Sequence, residues 1–349
     1  MEGKNEMKGK TYCVTGATGY IGSWLVKSLL QRGCRVHATF RNPQKASHFL
    51  ELWQGRDQLS LFRADLLEDG SFDEAVRGCD GVFHVSASME FGVPASQNLD
   101  NCYVKTHITD PAVKGTLNVL KACLKTSTVR RIVFTSSIST LTAKDSSNRW
   151  VPLVDESCQT SVDRVLKTKA SGWVYALSKL LTEEAAFRFA GENDIDLISV
   201  ITTTVGGPFL TPTVPSSIQV LLSPVTGDPN MLPILASVNS RMGSIALVHI
   251  EDICNAHVFL MEHVNAEGRY LCCIQSCVVS ELIELLKKEY PRSNALRLDG
   301  VEQDSVPSTI SSKKIRDMGF EFKHDVEDIL HQTVKKSVEY GFLPPLEKS

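Results

Sequence analysis

Short apolar runs alternate with longer stretches of helical period through the first part of the chain. Residues 10–15 read as a strand, and 20–32 as an amphipathic helix with Ile21, Leu25, Leu29 and Leu30 on its apolar face. Strands follow at 35–40 and 59–64, a helix at 71–77 and a strand at 81–85. Residues 86–99 hold Gly92 and Pro94 and read as a loop. The pattern then predicts one long helix over 102–126, a fifth strand at 131–135, a helix over 170–192 and a sixth strand at 195–201. Strands separated by helices at these intervals predict an α/β fold built on a doubly wound parallel sheet. After Thr202 the pattern loosens, punctuated by Pro208, Pro212, Pro215, Pro224, Pro229 and Pro233, which suits a smaller lobe facing a substrate. Strands at 245–248 and 269–273 flank a helix at 251–263, and helices near 280–290 and 325–341 close the chain. Two units are therefore expected: 8–202, and 203–345, the latter mainly a substrate lobe with some segments returning to the first core.

The turn between the first strand and its helix is Gly16-Ala17-Thr18-Gly19-Tyr20-Ile21-Gly22. Glycines here let the backbone turn tightly and approach a phosphate, and the helix N-terminus offers free N–H groups to an anion. The spacing is G-x-x-G-x-x-G rather than G-x-G-x-x-G. With this turn the first unit reads as a Rossmann-type dinucleotide domain, its ligand at the carboxyl ends of the strands. The second strand ends at Arg41, where an NAD site usually places a carboxylate. An arginine suits the 2′-phosphate of NADP instead, and Lys45 adds a second positive charge. The third strand ends at Asp65, placed to accept from an adenine amino group. The fifth runs into Ser136 and Ser137, at such a carboxyl end. On the helix over 170–192, Tyr175 and Lys179 share one face. An ammonium beside a phenol favours the phenolate, which suits a general acid that gives a proton to a carbonyl oxygen.

Composition narrows the partners. In 349 residues, 37 basic side chains stand against 40 acidic ones, a net charge of −3 with no basic tract, which argues against nucleic acid. No apolar run is long enough to span a bilayer, and residues 1–10 lack the apolar core of a signal peptide, so no membrane and a cytoplasmic location are expected. The ten cysteines are scattered through strands and helices, as reduced, buried thiols would be. Cys272, Cys273 and Cys277 lack a second cluster at zinc-site spacing. His249, Asp252 and His257 gather at one helix start without an open-site ligand pattern, so an N-cap role for Asp252 or core packing is expected there, and no metal. A monomer and a homodimer both stay open.

The glycine turn, the strand end Thr135-Ser136-Ser137 and the Tyr175/Lys179 pair occur in the order of the extended short-chain dehydrogenase/reductase family. Residues 19–26 (Gly-Tyr-Ile-Gly-Ser-Trp-Leu-Val), 62–66 (Phe-Arg-Ala-Asp-Leu), 70–75 (Gly-Ser-Phe-Asp-Glu-Ala) and 82–85 (Val-Phe-His-Val) resemble the plant dihydroflavonol 4-reductase group. So do 133–137, 215–218, 268–270 and 311–314, and the likeness covers about residues 10–342. That group also holds anthocyanidin reductases, vestitone reductase and cinnamoyl-CoA reductases. The resemblance implies an NADPH-dependent reductase. Tyr175 would donate the proton, Lys179 would lower its pKa and reach the nicotinamide ribose, and Ser137 would hydrogen-bond the carbonyl oxygen. It implies a cofactor site of Gly16, Thr18, Gly19, Tyr20, Ile21, Gly22, Arg41, Lys45, Asp65, Leu66, Val85, Ser86, Ala87, Thr135, Tyr175, Lys179, Thr202 and Val205. It implies a substrate site that includes Met89, Thr142 and Phe209.

Three positions depart from the group's pattern. Thr142 stands where dihydroflavonol reductases carry an asparagine, similar to anthocyanidin reductases; Thr202 stands where a proline is usual; and 94–110 is longer than its equivalent. Residues 86–99 and 203–242 hold Met89, Phe91, Phe209, Leu210, Leu221, Leu222, Met231 and Leu232, an apolar supply that suits a flat polycyclic phenol of the flavonoid type. Few charges lie there, with Glu90, Asp100, Asp228 and Arg241 the nearest, which ranks a sugar nucleotide or a coenzyme A thioester lower. An alkaloid or lignan carbonyl or iminium also fits. A non-enzymatic NADP-binding regulator would share the fold, but such proteins tend to lose the tyrosine or the lysine.

Overall fold

The computed structural model describes residues 7–53, 57–87, 99–291 and 308–345. The chain begins with β1 (Thr11–Thr15), α1 (Tyr20–Gln31), β2 (Arg35–Phe40), α2 (Pro43–Leu52), β3 (Leu59–Arg63), α3 (Asp73–Val76) and β4 (Gly81–His84). Next come α4 (Asn101–Val104), α5 (Asp110–Leu124), β5 (Arg131–Ser137), β6 (Leu153–Val154), α6 (Val162–Thr168), α7 (Trp173–Glu192) and β7 (Leu197–Thr202). Then follow β8 (Thr204–Gly206), α8 (Ser216–Leu221), α9 (Ser223–Thr226), α10 (Leu232–Met242), β9 (Ile245–His249), α11 (Ile250–Glu262) and β10 (Gly268–Cys272). The chain closes with β11 (Gln275–Cys277), α12 (Val279–Glu289), β12 (Thr309–Ile310), α13 (Lys313–Asp317) and α14 (Val326–Glu339).

Seven strands form one parallel sheet in the order β10-β7-β5-β4-β1-β2-β3. β4 and β7 are buried along their whole length, as strands covered on both faces must be. Leu25 and Leu29 of α1 with Ile253 and Leu260 of α11 cover one face. Ala75 and Val76 of α3, Val119 and Leu120 of α5, and Ala186 and Ala190 of α7 cover the other. The chain steps outward from β1 to β3, then returns to β4 on the opposite side of β1. Such a reversal opens a crevice at the carboxyl ends of the strands. Past β7, a small sheet in the order β11-β9-β8 packs with α8, α10, α12 and α14, while β10 pairs with β7 as the edge of the large sheet.

The expected strands and helices are present, with shifted ends. The single helix expected over 102–126 is divided. A π-helical turn at Lys105–Thr109 separates α4 from α5, and Pro111 lies in the first turn of α5. A proline removes a backbone donor and crowds the preceding turn, so the ladder re-registers there. α7 starts at Trp173 rather than at residue 170, because Gly172 is in the left-handed region at φ +78°. The α2 helix was not expected from periodicity. Its signal is Asn42-Pro43: the Asn42 side chain accepts from the backbone N–H of Gln44 at 2.8 Å, and Pro43 occupies the first turn. All ten cysteines are free thiols and most are buried, as expected. Among the described residues no helix is long and apolar enough to cross a membrane.

Candidate active site

A cavity of about 580 Å³ lies over the crevice. The carboxyl ends of β1, β2, β3, β4, β5 and β7 all reach it, together with 211–217, α8, α10 and the start of α7. At one end is the glycine turn. Gly16 has φ +66°, and a Cβ there would sit 2.9 Å from the Ser86 Cα. A Cβ on Gly22 would meet the Gly16 carbonyl oxygen at 2.2 Å, so only glycine lets the first turn of α1 pack on the loop. Thr15 locks this corner. Its hydroxyl accepts from the backbone N–H groups of Val85 and Ser86, both at 3.1 Å, and pairs with His84 Nδ1 at 2.9 Å. Burial pulls the His84 pKa down to about 3, so this imidazole is a neutral strut whose Nε2 meets Thr116.

Arg41 and Lys45 line the cavity at the β2 end and are exposed. Among the described residues neither is in an ion pair. Two uncommitted cations there can take a phosphate, the more so because no carboxylate ends β2. Asp65 also lines the cavity, with one carboxylate oxygen accepting from the Leu67 N–H at 3.0 Å. Thr18, Gly19, Tyr20, Ile21, Leu66, Val85, Ser86, Ala87, Thr135, Thr202 and Val205 line it too. Thr202, standing in place of proline, uses its hydroxyl to hold the Ser136 carbonyl at 3.1 Å.

At the other end Ser137, Tyr175, Lys179 and Arg241 meet. Ser137 ends β5 and caps a 3-10 turn at Ile138–Thr140, its hydroxyl accepting from the Ser139 N–H at 3.1 Å. The Ser137 and Tyr175 side chains hydrogen-bond to each other. Lys179 lies one helical turn beyond Tyr175, buried, and donates to the Thr135 carbonyl at 3.0 Å. Burial lowers its pKa to about 8, opposed by Glu183 another turn on. Glu183 is itself buried, bonded to the Ser199 hydroxyl and bridged to Arg269 at 3.0 Å. Tyr175, Lys179 and Glu183 thus form a stripe at successive i, i+4 positions, anchored by an arginine from β10.

The electrostatics of Tyr175 differ from the expectation. Its pKa is raised, chiefly by burial, and the opposing influences are the Ser137 hydrogen bond and the charge of Arg241. Arg241, on α10, is thus a cation that acts on the phenol in this structure, while the Lys179 ammonium donates to a backbone carbonyl. Sequence spacing cannot reveal Arg241 in this place, because its approach depends on how α10 packs over the sheet.

The substrate wall also differs. Phe209 does not line the cavity: it is 2% exposed and packs in the C-terminal core, its ring 5.2 Å from that of Tyr340. Thr142 is buried and does not line the cavity. Its hydroxyl accepts from the Lys144 N–H at 3.2 Å and from Arg164 at 3.3 Å. Leu221 and Leu222 are likewise core, and Leu210, Met231 and Leu232 do not line the cavity. Thr203, Thr204, Thr211, Thr213, Ser216 and Ser217 with Val214, Val220, Ile234 and Val238 form the wall, which is more hydroxylated than expected. Met89 and Phe91 lie outside the described residues.

His249, Asp252 and His257 each have separate partners. His249, not Asp252, caps α11, its Nδ1 accepting from the Glu251 N–H at 3.2 Å. Both Asp252 carboxylate oxygens hold backbone N–H groups, of Lys323 at 3.0 Å and His324 at 3.1 Å. His257 takes the Thr135 hydroxyl at 2.8 Å and meets the Ile253 carbonyl at 2.7 Å. His249, Glu251 and His324 do cluster, with the two imidazole centroids 3.7 Å apart and the rings tilted, but none of the three lines the cavity.

A strand-end phosphate cradle and a serine–tyrosine–lysine group in one cleft define a dinucleotide-dependent oxidoreductase site, and sequence comparison agrees. Residues 12–273 match the NAD dependent epimerase/dehydratase family, and the chain belongs to it, as an extended short-chain dehydrogenase/reductase. It is 45% identical to a Ginkgo biloba protein provisionally named an anthocyanidin reductase, over 95% of this chain and 96% of that one. It is 40% identical to a bifunctional dihydroflavonol 4-reductase/flavanone 4-reductase of Malus domestica, over 97% of this chain and 94% of that one. Among solved structures, vestitone reductase from alfalfa superposes with a TM-score of 0.78 at 31% identity, covering 95% of this chain and 99% of that one.

Proposed function

We propose that this chain is an NADPH-dependent reductase of a flat polycyclic phenol of the flavonoid type, acting on an anthocyanidin-like or dihydroflavonol-like compound. It would work in the cytoplasm as a monomer or homodimer. The observation that carries the reading is the meeting of Ser137, Tyr175 and Lys179 in the same cavity as the glycine turn and Arg41. The names of the relatives at 40–45% identity supply the substrate class. NADPH, when bound, supplies the hydride. The glycine turn and the α1 N-terminus would hold the pyrophosphate, Arg41 and Lys45 would hold the 2′-phosphate, and Asp65 would take the adenine amino group. Tyr175 gives its proton to the substrate oxygen while Ser137 donates a hydrogen bond to that oxygen as negative charge develops on it. Lys179 keeps a positive charge behind the phenol as it becomes a phenolate.

The reading is tested by NADPH consumption with an anthocyanidin, a dihydroflavonol, a cinnamoyl-CoA and a UDP-sugar side by side. Turnover of either of the last two with neither polycyclic used would overturn it. For the cofactor, Arg41→Ala is expected to weaken NADPH binding about tenfold or more while NADH binding changes little, since only NADPH carries the 2′-phosphate. Equal losses for both cofactors, measured by fluorescence titration, would remove Arg41 from the site.

The pKa of Lys179, lowered to about 8, sets a pH dependence. As pH rises through that value the ammonium loses its charge, so kcat/KM is expected to fall. Stability should move the other way. Between about 8 and the ordinary lysine value of 10.5, the unfolded chain holds a proton that the folded chain has released, so this group's contribution to stability rises with pH. A kcat/KM profile that stays flat through pH 8 would contradict the role given to Lys179.

A further inference from the structure

Arg241 closes α10 at the mouth of the small sheet, one residue before Met242 and the left-handed Gly243. Its backbone carbonyl accepts from the Ala143 N–H at 3.2 Å, which fixes its position against the segment after β5. Arg241 lines the cavity, as do Ser137, Gly172, Ile234 and Val238, and its charge acts on Tyr175. Its Nε is enclosed and has no hydrogen-bond partner, and among the described residues no carboxylate pairs with it.

A partly buried cation with an enclosed, unpartnered N–H and no carboxylate partner among the described residues is costly to hold. The groups beside it do not relieve the cost. The Tyr175 phenol is held neutral by burial, and Lys179 is a second cation. Burial draws the Arg241 pKa down only to about 10, which leaves it charged at neutral pH. The glycine turn and Arg41, which would hold phosphates, belong to other elements of the cavity wall. The missing negative charge is therefore to be sought on the substrate, next to the oxygen that Tyr175 and Ser137 address.

We propose that Arg241 is a specificity-determining residue whose guanidinium binds an ionised oxygen of the substrate, an enolate or phenolate conjugated with the reacting carbon. The site then prefers compounds that present one acidic hydroxyl on the conjugated ring system over neutral ketones of the same shape. The planar fork of an arginine suits two adjacent oxygens, which such a system offers and a lone ketone does not. This inference rests on the reductase reading above and names the charge state of its substrate.

The test uses a flavonol as a non-reacting probe, bound to the full-length protein saturated with NADP⁺, with the absorption band of the flavonol anion as readout. Wild-type protein is expected to lower the apparent pKa of the bound flavonol by about one unit or more. Arg241→Gln should abolish that shift and weaken flavonol binding by about tenfold or more, and Arg241→Lys should keep part of both. NADPH affinity, unchanged in all three, shows that each variant is folded. An equal spectral shift in wild type and Arg241→Gln would overturn the proposal, as would a flavonol bound as its neutral form or not bound at all. Failure of the reductase reading is seen separately: the flavonol would still bind as its anion, but no polycyclic substrate would consume NADPH.

Discussion

Tyr175→Phe is expected to lower kcat by about 100- to 10,000-fold, the range a positioned general acid contributes, while NADPH binding stays close to wild type. The substitution removes one oxygen and leaves the ring in place, so the packing of α7 is preserved. The Tyr175 hydroxyl hydrogen-bonds Ser137 and lies within the influence of the Arg241 charge. Lys179 is turned toward the Thr135 carbonyl, and His84 and His257 are buried with both ring nitrogens engaged. Neither imidazole can stand in, because burial holds both pKa values far below neutral, at about 3 and about 4. A variant that keeps most of its rate on a confirmed substrate would give the acid role to another group. Single-turnover measurement separates a slowed chemical step from slowed product release.

Gly22→Ala is expected to reduce NADPH affinity on the order of 100-fold, close to 2.7 kcal/mol, and to lower the melting temperature as well. The added methyl group would stand 2.2 Å from the Gly16 carbonyl oxygen and 2.9 Å from the Ala17 Cα. Both are backbone atoms, so the loop itself must move. That loop is held in turn by Gly16 against Ser86 and by the Gly19 N–H on the Gly16 carbonyl at 3.0 Å. Moving it pulls the N–H groups of α1 away from an anion. Isothermal titration with NADPH reads the effect. Unchanged affinity would mean that the turn does not hold the phosphates.

Where the physics is local, the sequence could be read. A glycine turn follows a strand and opens a helix, and Gly16, Gly19 and Gly22 all line the cavity. The spacing of Tyr175 and Lys179 placed both on one helical face, and both reach the cleft with Ser137. What escaped depends on packing between distant segments. Phe209 is as apolar as a ligand wall would be, yet it fills the core beside Tyr340 from the last helix. Thr142 lies only five residues after Ser137, but past a 3-10 turn it does not line the cavity. The π-helical turn before α5 arises where Asp110-Pro111 interrupts a helical ladder that periodicity alone would carry through. Arg241 sits in a stretch dense with prolines and short helices, where period says little about direction. Its approach to Tyr175 follows from the packing of α10 against β9.

The central claim is that this site moves a hydride from NADPH to a conjugated ring carbon and that Tyr175 completes the step with a proton. NADPH deuterated at the transferred position, incubated with an anthocyanidin or a dihydroflavonol and the purified protein, tests it most directly. One deuterium at one product carbon with a single configuration is expected, with near-complete loss of labelled product in Tyr175→Phe. Labelled product formed at the wild-type rate by Tyr175→Phe, or no transfer of label to either compound, would contradict it.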